Sequence, residues 1–312
     1  MGETTTVLLL AVLLDLVLSE PPNTVHPVSW MGRYLAVVSR RGRGRRPGAA
    51  LAIGALGLAA GFAGCVAATW GLVAFLREAP PTLRVVLHAV LLKSTFSLRR
   101  LLSAAEEVRS ALVAPDLPEA RRLVGVHLVS RSTQELTAEE VAGATVESLA
   151  ENFTDAVVAP LLFWTVAGLP AAVGYRFLNT ADAMLGYRDT AHEYLGKAAA
   201  RADDLANLIP ARVAALLLLL AGGVVGGDVR SGLRILVRDR GMTASPNAGW
   251  TMSAMAGILG VRLTKRGAYA LGDPETELDA RAILRAKLVT AIGMVLAVVG
   301  AFATQAVLGS ST

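Results

Sequence analysis

The sequence has almost no cysteine. Cys65 stands alone inside an apolar, small-residue segment, which excludes a disulfide framework and a thiolate metal site and leaves packing as its role. The usual nucleotide and hydrolase signatures are missing too: no G-x-x-x-x-G-K-[ST], no G-x-G-x-x-G on a strand-to-helix turn, no H-E-x-x-H, C-x-x-C or G-x-S-x-G. If a nucleotide binds, a standard P-loop does not hold it. The opening stretch, MGETTTVLLLAVLLDLVLSEPP, lacks a basic n-region and a small-x-small cleavage site and carries Asp15 in its apolar run. It is therefore expected to be a retained first membrane segment, not a signal peptide. No repeat of solenoid length and no low-complexity segment is present.

Aromatic residues are few, at 5%, and the formal charge of +5 is modest. The basic residues form no stripe for nucleic acid, and the densest run, RRGRGRRP at Arg40–Pro47, lies between two apolar stretches with no accompanying aromatic or motif. That is the pattern of a cytoplasmic loop under the positive-inside rule, and no nucleic-acid partner is expected.

What the chain does have is apolar residues, 54% of its 312, with a positive mean hydropathy. This composition is too apolar for an ordinary soluble domain and predicts an all-α, polytopic helical membrane protein. A span needs about 20 mostly apolar residues. The best candidates lie near 5–18 (short), 51–76, 205–225 and 288–308, with 83–98 and 157–178 as possible short or re-entrant segments, all within one membrane domain, 1–312. The residues 99–149 carry charges of both signs at helical spacing and form a water-facing insert; 228–287, rich in Arg and Lys, forms another. If both inserts are cytoplasmic and 157–178 crosses fully, Asn179–Asp204 falls on the opposite face. Pro160 and Gly168-Leu169-Pro170 break that stretch, so a re-entrant path returning to the same face is favoured.

The stretch VESLAENFTDAVVAP sets carboxylates directly against an apolar run. A charge in a bilayer costs about 2.5–3.5 kcal/mol even on lenient scales, so ionisable residues there mark interior sites. Glu147, Glu151 and Asp155 fall at i, i+4 and i+8 on one helical face, with Asn152 beside them. They repel one another unless a cation neutralises them, and oxygen ligands of this kind suit Mg²⁺, which binds one or two carboxylates plus nucleotide phosphates. The competing reading is a solvated amphipathic turn before a membrane helix.

Downstream, Tyr175–Arg212 holds many polar groups between apolar elements. Asn179 and Asp182 lie one turn apart, as do Asp204 and Asn207, while Lys197, Arg201 and Arg212 add cations. Caps and local ion pairs explain any one of these residues but not the whole set. Two further stretches are turn-rich: SEPPNTVHPVSWMGR, with His26 between prolines and Arg33 at its end, and SPNAGWTMSAMAGILGVRL, with Ser245 and Asn247 at its turn. A lone His such as His26 is more often structural than catalytic.

In chain order, HPVSWMGR, VESLAENFTDAVVAPLLF, NTADAMLGY, ARADDLANLIPAR and SPNAGWTMSAMAGILGVRL resemble the successive motifs of the CobD/CbiB family of cobalamin-biosynthesis membrane proteins, over about Leu14 to Gly272. The resemblance implies an ATP-dependent amide ligase of the inner membrane, adenosylcobinamide-phosphate synthase, joining the carboxyl of adenosylcobyric acid to aminopropanol or its phosphate. Carboxylate activation by ATP needs Mg²⁺ on acidic residues, cations for phosphoryl oxygens and a base for the amine. By that chemistry Glu151, Asp155, Asp182, Asp203 and Asp204 take metal or base roles, with Glu147 a further metal ligand. Lys197, Arg201 and Arg212 take phosphate or substrate carboxylate, while His26, Arg33, Asn152, Asn179, Asn207, Ser245 and Asn247 are assigned to substrate or phosphate.

The expected cofactors are ATP and Mg²⁺. Cobalt would arrive in the corrinoid substrate, with none bound by the protein. Self-association, or association with other corrinoid-pathway enzymes, is left open. The chain departs from the family pattern twice: SEPP at Ser19–Pro22 replaces a Gly-Asp-Pro, where Glu20 keeps the negative charge, and SRST at Ser130–Thr133 replaces Gly-Arg-Asp-Thr, where Ser132 cannot ligate a metal as aspartate would. Two rivals remain from other classes. One is a transporter with broken, charged helices, although no inverted repeat is present; the other is a family relative that keeps the fold without the chemistry.

Overall fold

The protein is described by a computed structural model covering residues 2–18, 22–129, 132–186 and 194–309. It is an all-α membrane protein whose only strands, among the described residues, form one short hairpin. The helices run α1 (Glu3–Val17), α2 (Pro27–Gly42), α3 (Pro47–Phe75), α4 (Pro81–Lys93), α5 (Leu98–Val113), α6 (Leu117–His127) and α7 (Ala138–Phe153). A π-helical turn (Thr154–Val158) leads into α8 (Ala159–Leu185), followed by α9 (Lys197–Ala206), α10 (Leu208–Val224), α11 (Val229–Asp239) and α12 (Ala248–Leu259). The hairpin β1 (Leu263–Lys265) and β2 (Tyr269–Leu271) precedes α13 (Ala280–Gly309).

Three stretches are long and apolar enough to cross a membrane, Pro47–Glu78, Ala138–Leu185 and Ala280–Val307, and a fourth if α9 and α10 together make one broken span. At 15 residues α1 is shorter than the roughly 20 that a perpendicular span needs.

The chain divides into two compact units, each assembled from separated segments. The first comprises Met1–Ser97, Ala159–Ala206 and Gly300–Thr312; the second comprises Leu98–Val158 and Asn207–Val299.

In the first unit α3 packs on α2, α8 and α9, around a core that includes Leu35, Leu58, Phe177, Leu185 and Leu195. In lipid, apolar side chains gain little from meeting each other, so close approach over small residues has to supply the packing energy. Gly61 supplies such a site: a Cβ there would stand 2.2 Å from the Phe177 ring. The Tyr34 hydroxyl donates to the Gly57 carbonyl at 2.8 Å, tying α2 to the same stretch of α3.

Helices α1 and α4 run parallel, joined at one end by Arg84 Nε on Glu3 Oε1 (2.7 Å) and at the other by Lys93 on Asp15 (3.9 Å), the latter pair fully buried. The residues near Pro160 and Gly168 deform α8 and its approach. A proline in an α-helix offers no N–H and crowds the carbonyl a turn earlier; here the backbone widens into the π turn just before it. At Ala167 and Gly168 the helix leaves α geometry, Gly168 taking φ 75°, before Pro170 starts it again.

In the second unit α7 starts on a capping box, with Thr137 and Glu140 exchanging bonds, and packs on α5, α6 and α12. Gly293 of α13 lets the Phe153 ring close on it, since a Cβ there would lie 2.9 Å from that ring. The hairpin pairs Leu263 with Leu271 around Gly267 at φ 71°. Asp239 holds its far end: it accepts from the Gly272 amide at 2.8 Å and from Arg238 Nε at 2.6 Å. Those hydrogen bonds, led by Arg238 and opposed by burial, hold the Asp239 carboxyl below its ordinary range.

Candidate active site

In the first unit the polar residues gather at the end of α8, on α9 and at the start of α2. Arg176, Asn179 and Asp182 follow one another at i, i+3 and i+6 on α8, and Arg176 Nη1 donates to Asn179 Oδ1 at 3.1 Å. Asp182 lies over the helix end because residue 186 is glycine: a Cβ there would sit 2.1 Å from Asp182 Oδ1. The next described residues are pinned as closely, Gly196 against the Leu185 carbonyl and Gly54 of α3 against the Leu195 carbonyl.

On α9, Lys197, Arg201 and Asp204 share a face at i, i+4 and i+7. Lys197 and Arg201 are exposed, Asp204 is half-buried and Asp203 is buried. The Lys197 ammonium stands 5.8 Å from the Tyr194 ring centre.

His26 is the N-cap of α2, its Nδ1 accepting from the Val28 amide at 3.1 Å, while Arg33 points out from the same helix, exposed. The opposite ring nitrogen then carries the proton. Around His26 lies a cavity of about 240 Å³, lined also by Asn23, Ser29, Ser94, Phe96, Ser97 and Arg176.

In the second unit the carboxylate stripe of α7 is uneven. Glu147 is buried at 6% exposure, Glu151 is exposed, and Asp155 is half-buried within the π turn. The Asn152 amide donates to the Ser148 carbonyl and hydroxyl, each at 2.9 Å, and Ser148 in turn donates to the Leu128 carbonyl at 2.9 Å. Among the described residues no group of three or more His, Cys, Asp or Glu side chains gathers as a metal would require. Glu151 and Asp155, hard oxygen donors that are not fully buried, fit an ion that takes one or two carboxylates and fills its shell with phosphate oxygens and water.

Two distant motifs meet in this unit. Arg212 of α10 donates to Asn247 Oδ1 at the start of α12, 2.9 Å away, and to the Leu208 carbonyl at 2.7 Å. Its guanidinium lies 4.6 Å from the Trp250 ring centre, and Arg240 lies 5.0 Å from the same ring. Such cation–π contacts hold a guanidinium flat and partly desolvated.

The turn before α12 is built for this. Ser245 Oγ accepts from the Asn247 amide at 3.2 Å, Thr243 donates to the Ser245 carbonyl at 2.7 Å, and a Cβ on Gly249 would lie 2.2 Å from the Arg240 carbonyl. Asn207, buried, opens α10. The π turn packs against α10, and α12 against α7 and α10, so the acidic helix and the Arg212–Asn247 pair belong to one bundle.

Sequence reasoning missed Arg176, Ser97, Arg240 and Trp250. Arg176 had a signal, standing three residues before Asn179 on the same face; Arg240 and Trp250 meet only through the turn between α11 and α12. Of the two departures from the motif pattern, Ser19–Pro21 and Ser130–Arg131 lie outside the described residues, and with them the charge assigned to Glu20, while Ser132 lies within.

Residues 8–296 match the family model described as CobD/Cbib protein. The chain is 40% identical over 292 residues to the probable cobalamin biosynthesis protein CobD of Methanothermobacter thermautotrophicus, covering 93% of this chain and 94% of the relative. It is 40% identical over 295 residues to the cobalamin biosynthesis protein CobD of Geobacter metallireducens, with 90% and 91% covered. Against the protein of the same name in Photorhabdus laumondii it is 36% identical over 261 residues, with 83% and 82% covered. No solved structure matches the chain.

Proposed function

The chain belongs to the CobD/CbiB family of cobalamin-biosynthesis membrane proteins, and from that membership we propose that it is an ATP-dependent amide ligase of the cell's inner membrane. It joins the carboxyl of adenosylcobyric acid to aminopropanol or its phosphate, giving adenosylcobinamide or its phosphate. The observation that carries the reading is the bond from Arg212 to Asn247 over the Trp250 face. It fixes a permanent cation, at a stated orientation, in the same bundle as the acidic helix, which is what stabilising phosphoryl charge requires.

In this reaction the substrate carboxylate oxygen attacks the γ-phosphorus of ATP, the bond to the β-phosphate oxygen breaks, and ADP leaves an acyl phosphate. The amine nitrogen then attacks the acyl carbon, the bond to the phosphate oxygen breaks, inorganic phosphate leaves, and the nitrogen gives its proton to a carboxylate. Arg212, in the same unit as Glu151 and Asp155, opposes charge on phosphoryl oxygens. Asp182 and Asp204 are the bases. Glu151 and Asp155 would hold Mg²⁺, which when bound shields the phosphate charge. Glu147, the further metal ligand assigned from the sequence, is buried within α7.

The test is conversion of adenosylcobyric acid by the detergent-purified chain with ATP, Mg²⁺ and aminopropanol phosphate, followed by mass spectrometry. Product is expected from the wild type and a loss of about 100-fold or more in kcat from Asp204→Asn, the scale of a general base. Substrate binding without product under any amine overturns the ligase and leaves a transporter or a family member without the chemistry.

A further inference from the structure

Helix α11 has two apolar faces, and the chain covers one of them. Gly232, Ile235 and Leu236 are buried, with Gly232 set against Leu219 of α10 and Ile258 of α12. Val229, Leu233 and Val237, at i, i+4 and i+8, form a second row on the outside of the helix, the last two at 53% and 56% exposure. Arg230, Arg234 and Arg238 repeat that spacing one residue on, so their row runs parallel to the first, about 100° further round the helix, and is also exposed. The acidic residues at the two ends are turned to other work. Asp228 caps the first turn by accepting from the Ser231 amide at 2.9 Å, and Asp239 is buried on the Gly272 amide and Arg238.

From these two rows we propose that α11 lies along an anionic lipid surface, its valines and leucine among the upper acyl carbons and its arginines level with the lipid phosphates. A row of large apolar side chains flanked by cations is the arrangement of an interfacial helix. The surface helices α5 and α6 of the same unit lack it. On them Val113 and Val126 are large, apolar and exposed, each alone, while Arg109 pairs with Glu106 and Arg122 with Glu119 on the same helix. Single apolar residues on a surface need no explanation, whereas a continuous patch marks a contact.

Helix α10 indicates what the patch meets. Every exposed residue of α10 is Leu, Ile, Val or Gly, and in a membrane protein such a face meets lipid. Leu220 and Val224 end its outward row, Val225 follows, also exposed, and Val229 opens α11 after only Gly226, Gly227 and Asp228. Exposed apolar residues therefore continue along the chain from one helix to the next. The choice of anionic lipid comes from the arginines. Arg230, nearest α10, makes no ion pair among the described residues; Arg234 donates to Ser231 Oγ at 3.2 Å and stands 3.7 and 3.6 Å from Asp273 and Glu275, and Arg238 also binds Asp273. Exposed pairs of this kind are weak, so Arg234 can exchange its partner for a lipid phosphate while Arg230 has none to give up.

The test uses the full-length chain with Cys65→Ser, reconstituted in nanodiscs, with a bimane fluorophore attached through Val237→Cys on α11 or, for comparison, Val126→Cys on α6. The probes are phosphatidylcholine and phosphatidylglycerol with brominated acyl chains, which quench on contact, and iodide, which quenches from water. Lipid is expected to quench at 237 and iodide at 126. In a mixed bilayer phosphatidylglycerol is expected around 237 at about fivefold enrichment over phosphatidylcholine, the scale of one arginine at an anionic surface. Arg230→Gln combined with Arg234→Gln removes that enrichment and leaves lipid contact at 237 in place. Added salt lowers the enrichment with the arginines unaltered, a second measurement should the double variant not fold.

Iodide quenching at 237 without lipid quenching overturns the proposal and puts α11 in water. Quenching by neither probe overturns it in favour of protein, a second copy or another chain, seated on the row. Equal lipid quenching at 126 and 237 overturns it because the row then makes no difference. Contact without preference for phosphatidylglycerol, or a preference that both the arginine variant and salt leave untouched, overturns the anionic surface and leaves an apolar contact alone.

Discussion

The two units place their charges differently. In the first, the pair Lys93–Asp15 is shut away at 8% and 2% side-chain exposure, and Arg176 lines a polar cavity. In the second, Arg109–Glu106, Arg122–Glu119 and Arg238–Asp273 lie at the surface in chains of alternating sign. Exposed pairs gain little, because water already solvates both partners. A buried pair has had both hydration shells removed, so each member is held in place by the other. The first unit thus contains an ion pair committed to positioning two helices, while the ion pairs named in the second mostly keep helices soluble and in register.

Removing one member of the buried pair breaks this comparison most severely. Asp15→Ala removes the carboxylate that stands 3.9 Å from the buried Lys93 ammonium, and the expected loss is about 3–5 kcal/mol. It would be read from thermal unfolding in detergent. The double variant Asp15→Leu with Lys93→Met removes both charges and is expected to regain most of that loss. If Asp15→Ala unfolds at the wild-type temperature, the pair does not hold the two helices and the contrast fails in its first half.

The second unit contains one carboxylate that should behave like the first unit's. Asp239, at 2% exposure, holds the Gly272 amide and Arg238. Asp239→Asn keeps the shape but loses the charge-assisted bonds, and about 1–3 kcal/mol is expected, because one hydrogen-bonded buried group is left badly matched. Hydrogen exchange should show the opening confined to the β1–β2 hairpin and the end of α11. A loss no larger than that of a surface pair would mean that burial alone does not separate the two classes of charge.

The membrane class and the main helices were legible because apolar runs of this length have few alternatives, and the charged spacing of 99–149 marked α5, α6 and the start of α7 equally well. The joining of Arg212 to Asn247 was half legible: both were singled out, but nothing in the spacing says that residues 35 apart would meet. Pairs such as Asp15 with Lys93, or Arg240 with Trp250, arise from helix packing and leave no local periodicity.

The stripe of Glu147, Glu151 and Asp155 shows the limit of periodic reasoning itself. Positions four apart drift around an α-helix, and the π turn adds a residue's worth of rotation at Asp155, so neighbours in pattern differ in burial. Pro160 was the visible cause of that turn, yet its effect falls on the residues before it.

The smallest effect sharpens the comparison from the solvent side. Arg109 leads, with Lys287 adding to it, in pulling the Glu106 carboxyl down to about 2 from its ordinary 4.5, against the opposing effect of burial, which ranks second only to the Arg109 hydrogen bond. A carboxyl that is harder to protonate in the folded chain stabilises that chain once the unfolded form has lost its proton, so the contribution is complete above about pH 4.5. It fades as pH falls from there toward about 2, where the folded form takes up the proton as well. Glu106→Gln is expected to leave the unfolding temperature nearly unchanged near its acid end and to lower it slightly at neutral pH, so that the acid limb between pH 5 and 3 becomes shallower, to an extent that salt reduces. Because Glu106 remains about one-third exposed, solvent screens most of this interaction. A salt-insensitive loss comparable to that of Asp15→Ala would place this cluster with the committed charges of the first unit and erase the distinction between the two.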